Sequence, residues 1–215
     1  MLHWLQIVLA LVMAYLIGSI PTSVWLSRSI FKIDVRKHGS GNAGATNTMR
    51  TLGLKAGLVV LVFDIFKGWF AVYIPHFVYT DGLTPTQFTW FSVGLATAAV
   101  LGHVFPVYVG FKGGKGMATL VGVMLGLHPN LLICVVVVFI IVFLIGRIVS
   151  LASIAAAVAT PLATWFIFEI HDPIFMLFSI VVAVFVPFMH RKNIQRMMKG
   201  EEKRFTYKRR TENPI

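Results

Sequence analysis

Three short stretches hold most of the residue types able to grip an anion, and each lies between apolar runs. The first, KHGSGNAGATNTMR over 37–50, sets Gly39, Gly41 and Gly44 among Ser40, Asn42, Thr46, Asn47 and Thr48 and ends on Arg50. Glycine admits backbone conformations that other residues avoid, so successive N–H groups there can turn toward one anion. The hydroxyls and amides add neutral hydrogen-bonding groups, and the guanidinium adds a rigid fork suited to phosphate. A Gly/Asn-rich surface turn is the bland explanation, but such turns seldom gather so many donors before an arginine.

The second stretch, GHVFPVYVGFKGGKGMAT over 102–119, offers Gly113, Gly114, Lys115 and Gly116 just before a helix-like run. Backbone donors, a lysine and a helix N-terminus then stand together. A nucleotide P-loop carries Ser or Thr directly after its lysine. Gly116 stands there instead, so the magnesium-binding hydroxyl is missing and phosphate held without metal is the expectation. The competing explanation is a charged anchor at the membrane surface. The third stretch, HRKNIQRMMKGEEKRF over 190–205, spaces His190, Asn193 and Arg196 by three, one face if the segment is helical. Glu201 and Glu202 are the acidic residues amid this positive charge. A basic tail resting on anionic lipid would look similar in charge alone, and His190, Asn193 and Glu202 argue for more.

Other positions are weaker. Asp64 and Lys67 stand at i, i+3 inside an apolar run, as a proton relay or as a mutually satisfied pair locking a helix interface. Ser150 and Ser153 open another run, as phosphate ligands or as helix caps. His103 and Pro106 read as structural. His76 and Asp81 fit a bare His-x4-Asp acyltransferase spacing, far from the three stretches, and the match reads as accidental. There is no Gly-x-Ser-x-Gly elbow, and the single cysteine, Cys134, is deep in LLICVVVVFIIVFLIG.

The elements that must position these residues are membrane helices. Of 215 residues, 57% are hydrophobic and 13% charged, whereas a soluble domain has about a quarter charged. Seven spans are expected, near 2–26, 54–74, 88–109, 117–127, 131–146, 150–168 and 174–189. The fourth is short of the ~20 residues that cross a bilayer core. Arg28, Lys32, Arg36, Lys37, Arg50, Lys112, Lys115, Arg147 and the tail fall on one side, while PHFVYTDGLTPTQ, HPN and EIHDP carry no Lys or Arg. The positive-inside rule then predicts an outside N-terminus, a cytoplasmic C-terminus and all three stretches on the cytoplasmic face. This distribution explains the formal charge of +11 and argues against nucleic acid, whose readers line one groove or face with base. The first span lacks a signal-peptide n-region and cleavage site. One domain over 1–215 is expected, with 190–215 a basic cytoplasmic tail, and a monomeric state.

At the three stretches, and at SIPTS, DIFKG and RIVSLASI, the sequence resembles bacterial acyl-phosphate-dependent glycerol-3-phosphate acyltransferases, the PlsY family. The resemblance covers nearly the whole chain. It implies an all-α, seven-span enzyme of the cytoplasmic (inner) membrane. It would move a fatty acyl group from acyl phosphate to the 1-hydroxyl of glycerol 3-phosphate, giving lysophosphatidic acid and phosphate. It implies no metal or other cofactor, and a functional link to the enzyme making acyl phosphate. By the resemblance, Ser40, Arg50 and Lys115 surround the phosphates, and Ser153, His190 and Asn193 lie in or beside the substrate pocket.

Chemically, acyl phosphate is already activated, so no acyl-enzyme is required. Arg50 and Lys115 are expected to stabilise phosphate charge while Gly-rich N–H groups hold the donor, and His190 with Asn193 to orient the acceptor. The base is left open between His190 and a substrate phosphate. The rival reading is a membrane transporter or channel for a phosphorylated solute, which Asp64 and Lys67 would suit. The one-sided stretches and the lack of internal repeats speak against it.

Overall fold

A computed structural model describes residues 2–78, 80 and 82–205, and the side chains from residue 4 onward. Ten α-helices account for most of them: α1 (Leu2–Gly18), α2 (Thr22–Phe31), α3 (Ala45–Leu52), α4 (Leu54–Tyr73), α5 (Pro85–Val104), α6 (Met117–Leu127), α7 (Pro129–Gly146), α8 (Val149–Phe166), α9 (Pro173–Met189) and α10 (Arg191–Met198). No strand occurs among the described residues. Four helices are long and apolar enough to cross a membrane, or up to six spans if the bent pairs α1–α2 and α9–α10 each count as one. Large apolar side chains are exposed along most of them, up to Ile145 at 83% on α7, which packs mainly on α8. That surface is the one a lipid-facing helix presents.

The expected first span is broken. Pro21 cannot donate a backbone hydrogen bond, and α1 and α2 meet there at 40°. The Ile20 carbonyl at the break accepts from Lys67 Nζ (2.9 Å), and the same ammonium lies 2.8 Å from Asp64 Oδ1. The buried pair therefore pins α4 to the kink, which favours the locking reading over the relay. The expected short fourth run, 117–127, is the eleven-residue helix α6, apolar but shorter than the helices long enough to cross a membrane. The expected loop 37–50 is not all loop: its second half is α3, which carries Arg50.

Helices α4 and α6 form the most extensive pairing, and glycine sets its closeness. A Cβ on Gly68 would lie 2.2 Å from the Thr119 carbonyl oxygen, and one on Gly122 1.9 Å from that of Ile65. Residues near 119–122 are thus level with the middle of α4. Helix α6 and the loop before it start halfway along α4, which leaves a hollow beside the first half of α4. Helices α7, α8 and α9 close the other side, and a core of Leu131, Leu132, Phe175 and Phe178 seals the end near His128.

Candidate active site

The three polar stretches converge on that hollow, a cavity of about 590 Å³. Ser40, Asn42, Thr46, Asn47, Arg50, Lys115, Ser150, Ser153, His190, Asn193 and Glu202 all border it. Gly41, Gly113, Gly114, Gly116 and Arg196 do not.

A chain of hydrogen bonds joins the second and third stretches. Lys115 Nζ donates to Asn193 Oδ1 (2.5 Å), and Asn193 Nδ2 donates to Glu202 Oε1 (2.6 Å). Ser150 Oγ also donates to that oxygen (2.8 Å), and Arg196 Nε donates to Glu202 Oε2 (2.7 Å). Asn193 and Arg196 reach this network from neighbouring turns of α10, the face expected from their spacing. Ser150 is therefore not a cap, and no side chain caps α8. The strap after α10 carries Glu202 back over α8. It is held by Arg50 Nη2 donating to the Lys203 carbonyl (3.3 Å) and by the Phe205 N–H donating to the Arg147 carbonyl (2.6 Å). The tail at 206–215 lies outside the described residues.

These contacts set the charges. Burial pulls the Lys115 ammonium down to about 8, with Glu202 opposing and Arg196 and Arg50 adding to the fall. Burial alone would raise Glu202, but hydrogen bonds from Arg196, Asn193 and Ser150 hold it below the usual carboxylate range. His190 is pushed down to about 4, first by burial and then by Lys115. Its Nδ1 lies 2.9 Å from the Val186 carbonyl oxygen, which can only accept. Nδ1 therefore carries the proton of the neutral ring, and the Nε2 lone pair is left for another partner.

Three of the glycine amides expected to face an anion are engaged within the protein. Gly41 N–H donates to the His38 carbonyl, Gly113 to Val104 and Gly114 to His103. Gly113 and Gly114 lie against the end of α5 too closely for a side chain: a Cβ on Gly114 would be 2.2 Å from His103 Nε2. The available N–H groups belong instead to two helix starts on the cavity wall. Helix α3 begins after Gly44 and α6 after Gly116, which has φ +82°, and neither start has a side-chain cap. Uncapped N-termini present free donors and partial positive charge.

Asn47 is also not free for a ligand. Its Oδ1 accepts from the Ser40 N–H (2.7 Å), and its Nδ2 donates to the Val35 and His38 carbonyls (3.0 and 3.1 Å). It shapes the first loop at the cavity's edge.

Sequence reasoning passed over Arg36. This side chain clasps Asp34 and donates to the Val109 and Lys112 carbonyls (3.0 and 3.3 Å), tying the first loop to the second. The lone aspartate within a basic segment was the available signal. Asp64 and His103, 3.7 Å apart, border the cavity as well. His76 instead stacks on Tyr73 and does not border the cavity, while Asp81 lies outside the described residues.

Against known proteins, the family model described as glycerol-3-phosphate acyltransferase matches residues 8–200. The chain belongs to the glycerol-3-phosphate acyltransferase family. The glycerol-3-phosphate acyltransferase of Staphylococcus carnosus is 42% identical over 200 residues, covering 92% of this chain and 97% of that protein. That of Streptococcus sanguinis is 39% identical over 201 residues, covering 91% and 90%. Among solved structures, PlsY, an integral membrane glycerol 3-phosphate acyltransferase, in its glycerol 3-phosphate form shows 35% identity and a TM-score of 0.81 over 93% of this chain and 96% of that one. Its lysophosphatidic acid form shows 36% identity and a TM-score of 0.77, over 93% and 95%. This family member is thus an all-α, multi-pass membrane protein of the PlsY type.

Proposed function

We infer that this protein transfers a fatty acyl group from acyl phosphate to the 1-hydroxyl of sn-glycerol 3-phosphate. The products are lysophosphatidic acid and inorganic phosphate, and the step opens phospholipid synthesis. The observation that carries this reading is a single cavity with two chemistries. One end gathers Arg50, Lys115 and two uncapped helix starts, and the other is lined by apolar side chains of α6, α7, α8 and α9. An acyl phosphate has the same two-ended character.

In this reading Arg50 and Lys115 balance phosphate charge, and the starts of α3 and α6 donate backbone hydrogen bonds to phosphate oxygens. Ser40, Asn42 and Thr46 line the phosphate end, and Ser150, Ser153, His190 and Asn193 line the acceptor side. Glu202, braced by Arg196, orients Asn193 and Ser150. Oxygen 1 of glycerol 3-phosphate attacks the acyl carbon, the acyl–oxygen bond to phosphate breaks, and phosphate leaves. The hydroxyl proton then goes to a phosphate oxygen rather than to His190. A phosphate monoanion forms its dianion near pH 6, so its dianion is a stronger base than an imidazole near 4. His190 Nε2 is placed to orient the acceptor.

The membrane arrangement we propose has seven spans: α1–α2 as one broken span, then α4, α5, α6, α7, α8 and α9. The N-terminus is outside, and the site faces the cytoplasm at the inner membrane. Support comes from the Lys and Arg distribution and from all three polar stretches meeting at one cavity. The chain forms one domain, works as a monomer and depends functionally on an enzyme that makes acyl phosphate.

The test mixes purified protein with synthetic acyl phosphate and glycerol 3-phosphate, scoring free phosphate and lysophosphatidic acid. Stoichiometric appearance of both, lost in Lys115→Ala and Arg50→Ala proteins that still insert normally, is expected. Wild-type turnover in those two variants would overturn the assignment.

A further inference from the structure

The apolar end of the cavity has a limited depth, which can be read from its bordering residues on three helices. On α8 the bordering residues are Val149, Ser150, Ser153, Ala156, Ala157 and Thr160, one face of the helix. At a rise of 1.5 Å per residue, Ser150 to Thr160 spans about 15 Å. On α7, Phe143 to Leu132 spans about 16 Å by the same rise, with Phe139, Val136 and Val135 between them on the wall. On α6, the last bordering residue is Met124. Beyond this level Leu131, Phe175, Phe178 and Thr164 are buried and do not border this cavity. Thr160 does not offer the floor a polar group, because its hydroxyl donates to the Ala156 carbonyl (3.0 Å).

We propose that Met124, Leu132 and Thr160 form the end stop of an acyl-chain ruler, with Ala157 keeping the bore open on the way down. The proposal rests on the acyl-transfer reading above. A saturated chain advances about 1.25 Å per carbon, from ordinary C–C lengths and near-tetrahedral angles. A 15 Å bore therefore takes about twelve carbons fully extended, and longer chains must bend within it.

Selection here has to be steric. The donor's chain comes from lipid tails that are as apolar as Leu or Met, so moving it into the bore gains little from the hydrophobic effect. What separates one chain from another is whether it fits against a close-packed floor, where added volume forces side chains off their rotamers.

Two substitutions move the floor in opposite directions. Ala157→Leu places a branched side chain about 10 Å below Ser150, by helix rise, room for about eight carbons. Leu132→Ala deepens the bore. For each protein the readout is the ratio of kcat/KM for hexadecanoyl phosphate to that for octanoyl phosphate, both in one detergent. Relative to wild type, the ratio should fall tenfold or more in Ala157→Leu and rise several-fold in Leu132→Ala. KM for glycerol 3-phosphate should stay within twofold in both.

If Ala157→Leu fails to fold, Leu132→Ala decides alone. Ratios unchanged in every folded variant, with wild type active, would overturn the ruler and leave the reaction standing. Absence of lysophosphatidic acid from wild type at every chain length would instead overturn the reading beneath it.

Discussion

Replacing Glu202 with Gln keeps the shape of the strap and removes one charge. The carboxylate is joined to Lys115 through a single amide: Nζ to Asn193 Oδ1 is 2.5 Å, and Asn193 Nδ2 to Glu202 Oε1 is 2.6 Å. The ammonium and carboxylate are thus separated by about 7 Å, counting the width of the amide, built from ordinary bond lengths. Two unit charges at that distance interact by about 2.4 kcal/mol at an effective dielectric constant of 20 and about 0.6 kcal/mol in water. The site is open at its rim, so a value between these limits applies, roughly 1.4 kcal/mol, or about one pH unit.

Lys115 titrates near 8 with Glu202 holding it up. Its cationic form, the one that binds phosphate, is present below that pH and lost above it. The alkaline limb of kcat/KM for acyl phosphate should therefore fall near pH 8 in wild type and near pH 7 in Glu202→Gln. The parameter reports the free enzyme, which matters because bound phosphate would itself raise the lysine. Phosphate monoesters finish their second ionisation near pH 6, so the substrates do not move the alkaline limb. The assay is phosphate release at subsaturating acyl phosphate from pH 6 to 9.5, with Glu202→Asp as the control that keeps the charge. A limb that stays in place or moves upward in Glu202→Gln would refute the link from Glu202 through Asn193 to Lys115.

His190 should contribute no acid limb near pH 6.5, because its neutral form persists down to about 4. Profiles of wild type and His190→Ala should share one shape between pH 5 and 7, with the variant weakened mainly in KM for glycerol 3-phosphate. A lost kcat with KM intact would make the imidazole the base. Arg36→Ala, which removes the clasp between the first and second loops, should raise KM for both phosphate substrates several-fold with little change in thermal stability. Lys67→Met leaves the Asp64 charge and the Ile20 carbonyl without their cation. Stranding one member of a buried pair costs about 3–5 kcal/mol, and a large drop in Tm in detergent is expected, partly restored by adding Asp64→Asn. Gly122→Ala should likewise unfold early, since its Cβ would meet the Ile65 carbonyl at 1.9 Å.

The legible part of the fold was what one-dimensional patterns carry. Apolar length and flanking charge were enough for α6 and for the other long helices, because lipid imposes a simple rule on each run separately. The kink at Pro21 was less visible: the surrounding residues are apolar, and only the Ile20–Lys67 bond, between positions 47 apart, shows how the break is satisfied. The site residues were legible as types. Their partners were not, since Ser150 and Glu202 meet across 52 positions and Lys115 and Asn193 across 78. The glycines of GGKG illustrate the difference. Their presence was plain, but backbone freedom suggested anion-facing amides, and the structure instead spends Gly113 and Gly114 on a tight seam against His103. Asn47 misled in the same way, because an amide free to bind a ligand and one bracing a loop are spelled alike.

The strap has a consequence for how the molecule is made. Glu202 lies beyond α10, and it gathers Ser150, Asn193 and Arg196 around one carboxylate. All ten described helices precede that residue in the chain, so the cluster can close only after they have been made. A chain that ends between Met198 and Glu202 would hold all ten described helices yet lack the clasp. Cutting the protein just after Met198 should have the same effect, leaving all ten described helices in place.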